Sequence, residues 1–201
     1  VRPTIRPFLQ LLNDLEAPGD FMELGVYQGD SFVELLEVAR KRPDKGRVCH
    51  AVDSFRGMAQ PGKEDGGQGS GYPLGRFDQG GSQRFRHRLD GMGYRESEYF
   101  IHEGYVPAIL NNIESELVLG AALIDLDHYE PTAHALKWVW ARLQIGGLLI
   151  CDDYFPKLGN IKGYAHKAVH EFVMLYRDRL DLMMSGNDGR THAFRKLEEP
   201  Q

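Results

Sequence analysis

Ala121-Ala122-Leu123-Ile124-Asp125-Leu126-Asp127-His128-Tyr129-Glu130-Pro131-Thr132 carries three signals in one short stretch. An apolar run of strand length stops at two acids, and Pro131 then opens a helix in which Ala135, Val139 and Leu143 fall at helical spacing. Gly146-Gly147 reads as the stop of that helix. The chain then repeats itself: Leu148-Leu149-Ile150-Cys151 is a second apolar run, and it ends in Asp152-Asp153. Two strand units joined by an amphipathic helix are the signature of a parallel sheet.

Working outward, the same alternation covers the chain. Phe21 to Val26 is the first strand, followed by a helix capped by Asp30 or Ser31, carrying Phe32, Leu35, Leu36 and Ala39 on one face, and stopped before Pro43. Val48 to Val52 and Tyr99 to Ile101 are the second and third strands, with a helix through Phe85 and Leu89 between them. After the fifth strand come a helix through Ala168, Phe172 and Leu175, then Leu180 to Met184 and His192 to Leu197, joined by a turn at Asn187-Asp188-Gly189. The expectation is one α/β domain over residues 1–201. Its seven-stranded, mainly parallel sheet ends in an antiparallel hairpin, with helices on both faces. Only Arg56 to Gly81 breaks the alternation, and it holds nine of the 23 glycines. A loop of that length in a compact domain is a candidate lid.

Composition narrows the partners. A chain of 201 residues with 42% hydrophobic and 26% charged residues has enough apolar surface for one core without staples. The net charge of −5 argues against nucleic acid. No apolar run approaches the roughly 20 residues of a membrane span, and no leader is evident, so a cytoplasmic protein is expected. Cys49 and Cys151 sit in apolar runs and read as buried thiols, with no soft ligand nearby to suggest zinc.

Ligands of open parallel sheets bind beyond the carboxyl ends of the strands. After the first strand stands Glu23-Leu24-Gly25-Val26-Tyr27-Gln28-Gly29, a turn whose glycines let backbone approach a ligand. Tyr27 takes the place of the second glycine of the dinucleotide fingerprint, which leaves no room for a pyrophosphate. Asp53, ending the second strand, is placed to accept ribose hydroxyls. Two acidic doublets at adjacent strand ends repel each other unless a cation intervenes. A hard divalent ion such as Mg2+ suits that oxygen-rich set, with Asp125, Asp152 and Asp153 as first-choice ligands.

Assembled, these residues resemble the macrocin O-methyltransferase (TylF) family of class I, Rossmann-like, S-adenosylmethionine-dependent enzymes. The matching segments are Glu23 to Ser31, Asp53-Ser54-Phe55-Arg56-Gly57-Met58, Ile101 to Tyr105, Ile124 to Thr132, Gly146 to Tyr154 and Lys167 to Phe172. The resemblance implies O-methylation of a sugar hydroxyl on a natural product, a small-molecule acceptor with no membrane or nucleic-acid partner, and leaves a homo-oligomer open. It implies that Glu23, Gly25, Tyr27, Gly29 and Asp53 border the donor, with Ser54 and Gly104 near its adenine. It further implies that Asp125 meets both donor and metal, that Asp152 and Asp153 complete the metal shell, and that Asp127 is the base. His128, directly after it, is a second candidate for that role. Tyr129 and Tyr154, beside the acids, are candidate walls of the acceptor pocket. Two rivals remain: a haloacid-dehalogenase-type phosphatase built on Asp125 and Asp127, which leaves Glu23 and Asp53 without a task, and a domain that binds S-adenosylmethionine without catalysis.

Overall fold

The structure is a computed structural model describing residues 5–67, 71–155, 164–186 and 189–198. Among the described residues seven strands form one sheet: β1 (Asp20–Leu24), β2 (Cys49–Asp53), β3 (Tyr99–Glu103), β4 (Leu119–Ile124), β5 (Leu143–Cys151), β6 (Leu180–Ser185) and β7 (His192–Lys196). The spatial order is β3-β2-β1-β4-β5-β7-β6; β1 to β5 run parallel, and β7 is antiparallel to both β5 and β6. This is the sheet the sequence predicts.

Alternation along the strands sends side chains to two cores. Phe21, Cys49, Ala51, Ala121, Leu123, Leu148 and Ile150 face α1 (Leu9–Asn13), α2 (Asp30–Lys41) and α3 (Gln83–Gly91). Met22, Leu24, Val52, Ala122, Ile124, Leu149 and Cys151 face α4 (Tyr129–Arg142) and α5 (Ala165–Leu175). Strands buried on both faces are mainly apolar, which is why β4 reads as a continuous run, while β1 and β2 each carry one buried polar side chain, Glu23 and His50. Both cysteines are buried and free. None of the described helices is long and apolar enough to cross a membrane.

Three local expectations change. Gly29, in the left-handed region at φ 82°, is the N-cap of α2. Asp30 and Ser31 lie inside the first turn, where Ser31 donates to Glu23 and Asp30 pairs with Arg88 at 2.8 Å. Helix α4 starts two residues before Pro131, with His128 as its extended N-cap. Gly146 and Gly147 do not stop a helix: α4 ends at Arg142, and both glycines belong to β5. There the register steps from Leu119↔Leu143 to Ala121↔Leu148, so β5 carries extra residues, and Gly146 takes a φ of 78°. Asn187 and Asp188 of the expected turn fall outside the described residues.

Register decides where the chemistry lies. Leu24 pairs with Val52 on one side and Ile124 on the other, and Ile124 pairs with Cys151. The next residues, Gly25, Asp53, Asp125 and Asp152, therefore stand in one row at the carboxyl edge. The chain leaves β1 toward β2 and β3, then returns to build β4 and β5 on the other side, so the crevice opens between β1 and β4.

Candidate active site

A cavity of about 500 Å³ opens along that edge, lined among others by Gly25, Tyr27, Asp53, Ser54, Gly104, Asp125, Asp127, His128, Asp152 and Asp153. Of the expected donor-binding residues, Glu23 and Gly29 are not on its wall. Gly29 sits behind it, where a Cβ would meet the Phe85 ring at 2.2 Å.

Gly25 has a φ of 93°, and a Cβ there would fall 1.7 Å from the Asp125 carbonyl oxygen. Its amide donates to the Val52 carbonyl, and the Asp125 amide donates to the Leu24 carbonyl. The glycine thus lets the ends of β1 and β4 close on each other at the mouth of the crevice. Asp53 organises the next turn: Oδ2 accepts the amides of Val26 at 2.7 Å and Tyr27 at 2.8 Å, and Oδ1 accepts that of Phe55 at 2.7 Å. Three cavity residues just past strand ends, Tyr27, Asp127 and Asp153, have φ of 52°, 58° and 56°. Such left-handed geometry in non-glycine residues costs of order 1–3 kcal/mol each and collects at functional sites.

The acids form a tight group. Asp125, Asp127 and Asp153 each bring an oxygen within 4.8 Å of the others. Burial and then the charges of Asp152, Asp127 and Asp153 push the Asp125 carboxyl well above the usual carboxylate range. Burial, Asp153 and Asp152 push Asp127 up to about 7, against the Tyr72 hydroxyl and Arg190, which pull it down. Asp152 is turned elsewhere: Oδ2 meets Arg190 Nη2 at 2.9 Å and Oδ1 accepts the Thr191 hydroxyl at 2.6 Å. Arg190 also pairs with Asp153, through Nε at 3.1 Å. Against the cost of burial, Asp152 and Asp153 raise the Arg190 pKa. The trio brought together is therefore Asp125, Asp127 and Asp153, with Asp152 anchored to the start of β7. An oxygen-only trio of this spacing fits a hard divalent cation, which would also relieve the repulsion.

His128 is buried, and its Nε2 lies 3.0 Å from the Tyr72 carbonyl. A carbonyl only accepts, so this nitrogen carries a proton and is engaged as a donor. His128 Nδ1 then keeps the lone pair of the neutral ring. Tyr129 donates its hydroxyl to Glu171, and Tyr154 packs among His170, His192 and Phe194; neither belongs to the cavity wall. The wall instead includes Tyr72, Arg76 and Arg190, which sequence reasoning passed over, and His166, which on its spacing reads as a satisfied or solvent-facing histidine of a helix. Tyr72 and Arg76 sit in the glycine-rich segment, and Arg190 in the far hairpin, so no local spacing links them to the acids.

Glu23 lies between β1 and α2, buried, with Oε1 accepting the Ser31 hydroxyl and Oε2 without a hydrogen bond among the described residues. Burial, against the Ser31 bond and with Asp53 nearby, raises its carboxyl from 4.5 to about 8. Between those values the folded chain holds a proton that the unfolded chain releases. The stability this contributes is complete below about 4.5 and is lost as pH rises through about 8. Urea unfolding of Glu23→Gln beside the parent at pH 5, 7 and 9 is expected to favour the variant progressively, by at most about 1.4 kcal/mol per pH unit. Parallel curves would sink that assignment.

A Rossmann-like sheet of this strand order, with acids at adjacent strand ends beside a glycine turn, defines the class: a methyltransferase fold. The macrocin-O-methyltransferase (TylF) family model matches residues 5–188, and the chain belongs to that family. A curated relative, the 8-demethyl-8-(2,3-dimethoxy-alpha-L-rhamnosyl)-tetracenomycin-C 4'-O-methyltransferase of Streptomyces olivaceus, is 28% identical over 142 residues, 68% of this chain and 53% of its own length. The chain thus spans about half the length of that relative. Among solved structures, the O-methyltransferase NovP superposes with a TM-score of 0.78 at 20% identity, over 96% of this chain and 79% of that one. The calicheamicin methyltransferase CalS11 gives 0.75 at 23% identity, over 94% and 77%.

Proposed function

We propose that the chain is an S-adenosylmethionine-dependent, divalent-cation-assisted O-methyltransferase acting on a hydroxyl of a sugar or glycosylated natural product. The observation that carries this reading is one cavity with a glycine turn and Asp53 on one side and three converging carboxylates on the other. Membership of the family and the rhamnosyl acceptor in the relative's name support the substrate class.

In this reading Gly25, Tyr27, Asp53, Ser54 and Gly104 take the donor. Asp53 Oδ1 accepts a single amide, which leaves a lone pair for a ribose hydroxyl. Asp125 and Asp153 would hold the cation, with Asp152 completing the set if it lets go of Arg190, which leaves Asp127 for proton transfer. A bound Mg2+ supplies Lewis acidity that makes a coordinated hydroxyl easier to deprotonate. Asp127 receives the proton. The cavity walls align acceptor oxygen and donor carbon, and alignment of this kind accounts for about 7 kcal/mol or more of a barrier.

The test is transfer of a labelled methyl group from S-adenosylmethionine to a panel of glycosides, rhamnosides included, with mass spectrometry of the products. Transfer is expected to stop on chelation and return with Mg2+, and calorimetry is expected to show binding of S-adenosylhomocysteine. Failure to bind S-adenosylhomocysteine, or transfer indifferent to chelation, contradicts the donor or the cation assignment respectively.

A further inference from the structure

The glycine-rich segment from Arg56 to Gly81 reaches the start of α4 twice, at Asp65 and at Tyr72. The Tyr129 amide donates to Asp65 Oδ1 at 2.7 Å, across 64 residues of chain. His128 Nε2 donates to the Tyr72 carbonyl at 3.0 Å, and the two rings meet edge-on. Asp65 is 1% exposed, and its Oδ2 accepts the Gly62 amide at 3.1 Å. The other ties of the segment lie farther from the acids. Lys167 Nζ on α5 is 2.6 Å from Glu64, and at the base Met58 donates to the Arg76 carbonyl at 2.8 Å.

Helix α4 needs an acceptor from outside. Its N-cap, His128, makes no side-chain cap bond. Pro131 has no amide to satisfy, and the Thr132 amide already donates to the His128 carbonyl at 3.3 Å. The amides of Tyr129 and Glu130 are left with no acceptor inside the helix. Asp65 takes the first of them and sets its carboxylate at the positive end of the helix dipole. A distant acid thus does what the residue before a helix ordinarily does. The turn over 125–128, which carries the acids, ends on this helix. It starts in the sheet, where the Asp125 amide donates to the Leu24 carbonyl at 2.8 Å, and closes with the His128 amide on the Leu126 carbonyl at 2.6 Å. Between them Asp127 holds its φ of 58°. Such a conformation persists only where the surroundings over-determine it. The sheet holds one end of the turn, and the start of α4 holds the other.

We propose that Asp65 is a positioning residue: by capping α4 it holds the far end of the turn over 125–128, so that the glycine-rich wall and the acids are set together. This rests on the reading that methyl transfer takes place beside that turn. A site held within about 0.5 Å of productive geometry needs support of this kind behind the groups that touch substrate. The donor side stands apart from the cap, because Gly25 and Asp53 are placed by the ends of β1 and β2. Loss of the cap therefore acts on the acid side of the cavity and spares the other.

The experiment uses the full chain and amide hydrogen exchange read by nuclear magnetic resonance. In the parent, the Tyr129 amide is expected to exchange at least about tenfold more slowly than an unstructured amide, although the first amide of an uncapped helix has no such protection. In Asp65→Ala that protection is expected to vanish while the amides of β1 and β2 keep the parent's rates. With the glycoside that the panel identifies as acceptor, kcat of Asp65→Ala is expected to fall about tenfold, and the KM for S-adenosylmethionine to stay within about threefold. Asp65→Asn is expected to restore both the protection and kcat to within about threefold of the parent, because asparagine caps as well as aspartate and the helix end favours its oxygen. An unprotected Tyr129 amide in the parent overturns the proposal and requires no variant to fold. So do parent-like exchange or parent-like kcat in Asp65→Ala, and an Asp65→Asn no better than Asp65→Ala. A parent that transfers no methyl group removes the functional reading, and exchange at Tyr129 then decides alone whether Asp65 holds the turn. An active parent beside an unaffected Asp65→Ala overturns this proposal and leaves that reading standing.

Discussion

Asp127→Asn is expected to lower kcat by about 10²- to 10⁴-fold, the range that positioned general bases contribute, with the affinity for S-adenosylhomocysteine unchanged. Asparagine preserves the shape of the side chain and tolerates the left-handed φ of 58° that this position adopts. What it removes is the carboxylate proposed to take the proton, and with it negative charge from the group formed with Asp125 and Asp153. The fold is therefore expected to persist, and thermal stability to rise if anything, since relief of like-charge repulsion favours the folded state. Steady-state kinetics with the identified glycoside, beside calorimetry of S-adenosylhomocysteine, separates the two effects. A variant that retains more than a tenth of the parent kcat contradicts the role given to Asp127.

Gly25→Ala carries the largest expected effect on stability. The new Cβ would need the place of the Asp125 carbonyl oxygen, 1.7 Å away, and a φ of 93° that alanine avoids. Backbone on both sides is pinned by the sheet: the Gly25 amide to Val52, the Asp125 amide to Leu24. Neither strand end can yield without breaking parallel ladder bonds, so a loss above about 4 kcal/mol is expected, in the range reserved for a named steric mechanism. Urea denaturation followed by circular dichroism measures it, and a loss below about 1 kcal/mol would contradict the close approach. Gly46→Ala is the control: its φ is also positive, at 59°, but open space surrounds its Cβ position.

The sheet was legible because the strands buried on both faces read as mainly apolar runs, broken only by Glu23 in β1 and His50 in β2, and four of them are followed by the glycine or acids that stand in the row at the carboxyl edge. The two acidic doublets and Asp53 could be placed at strand ends before any coordinates, because Val52, Ile124 and Cys151 end their apolar runs, whereas the first strand, read to Val26, stops at Leu24 and so brings Gly25 into the row. Which acids converge could not. Asp152 is drawn to Arg190 and Thr191, 38 and 39 residues away along the chain, and no local spacing announces that pairing. Gly146-Gly147 was misread because a glycine pair after a helical stripe has the same signature at a helix stop and at a strand irregularity. Tyr72 was hidden among glycines whose order comes from Asp65, His128 and Lys167, each lying in or reaching a different element.

Arg190 has a consequence for the order of events during synthesis. The acids from Asp125 to Asp153 leave the ribosome well before the guanidinium that faces two of them. Until β7 docks between β5 and β6, the carboxyl edge carries its negative charges without that cation, and the growing chain has reason to keep that edge open. The hairpin therefore brings a cation to two of the four acids where β7 lies beside β5.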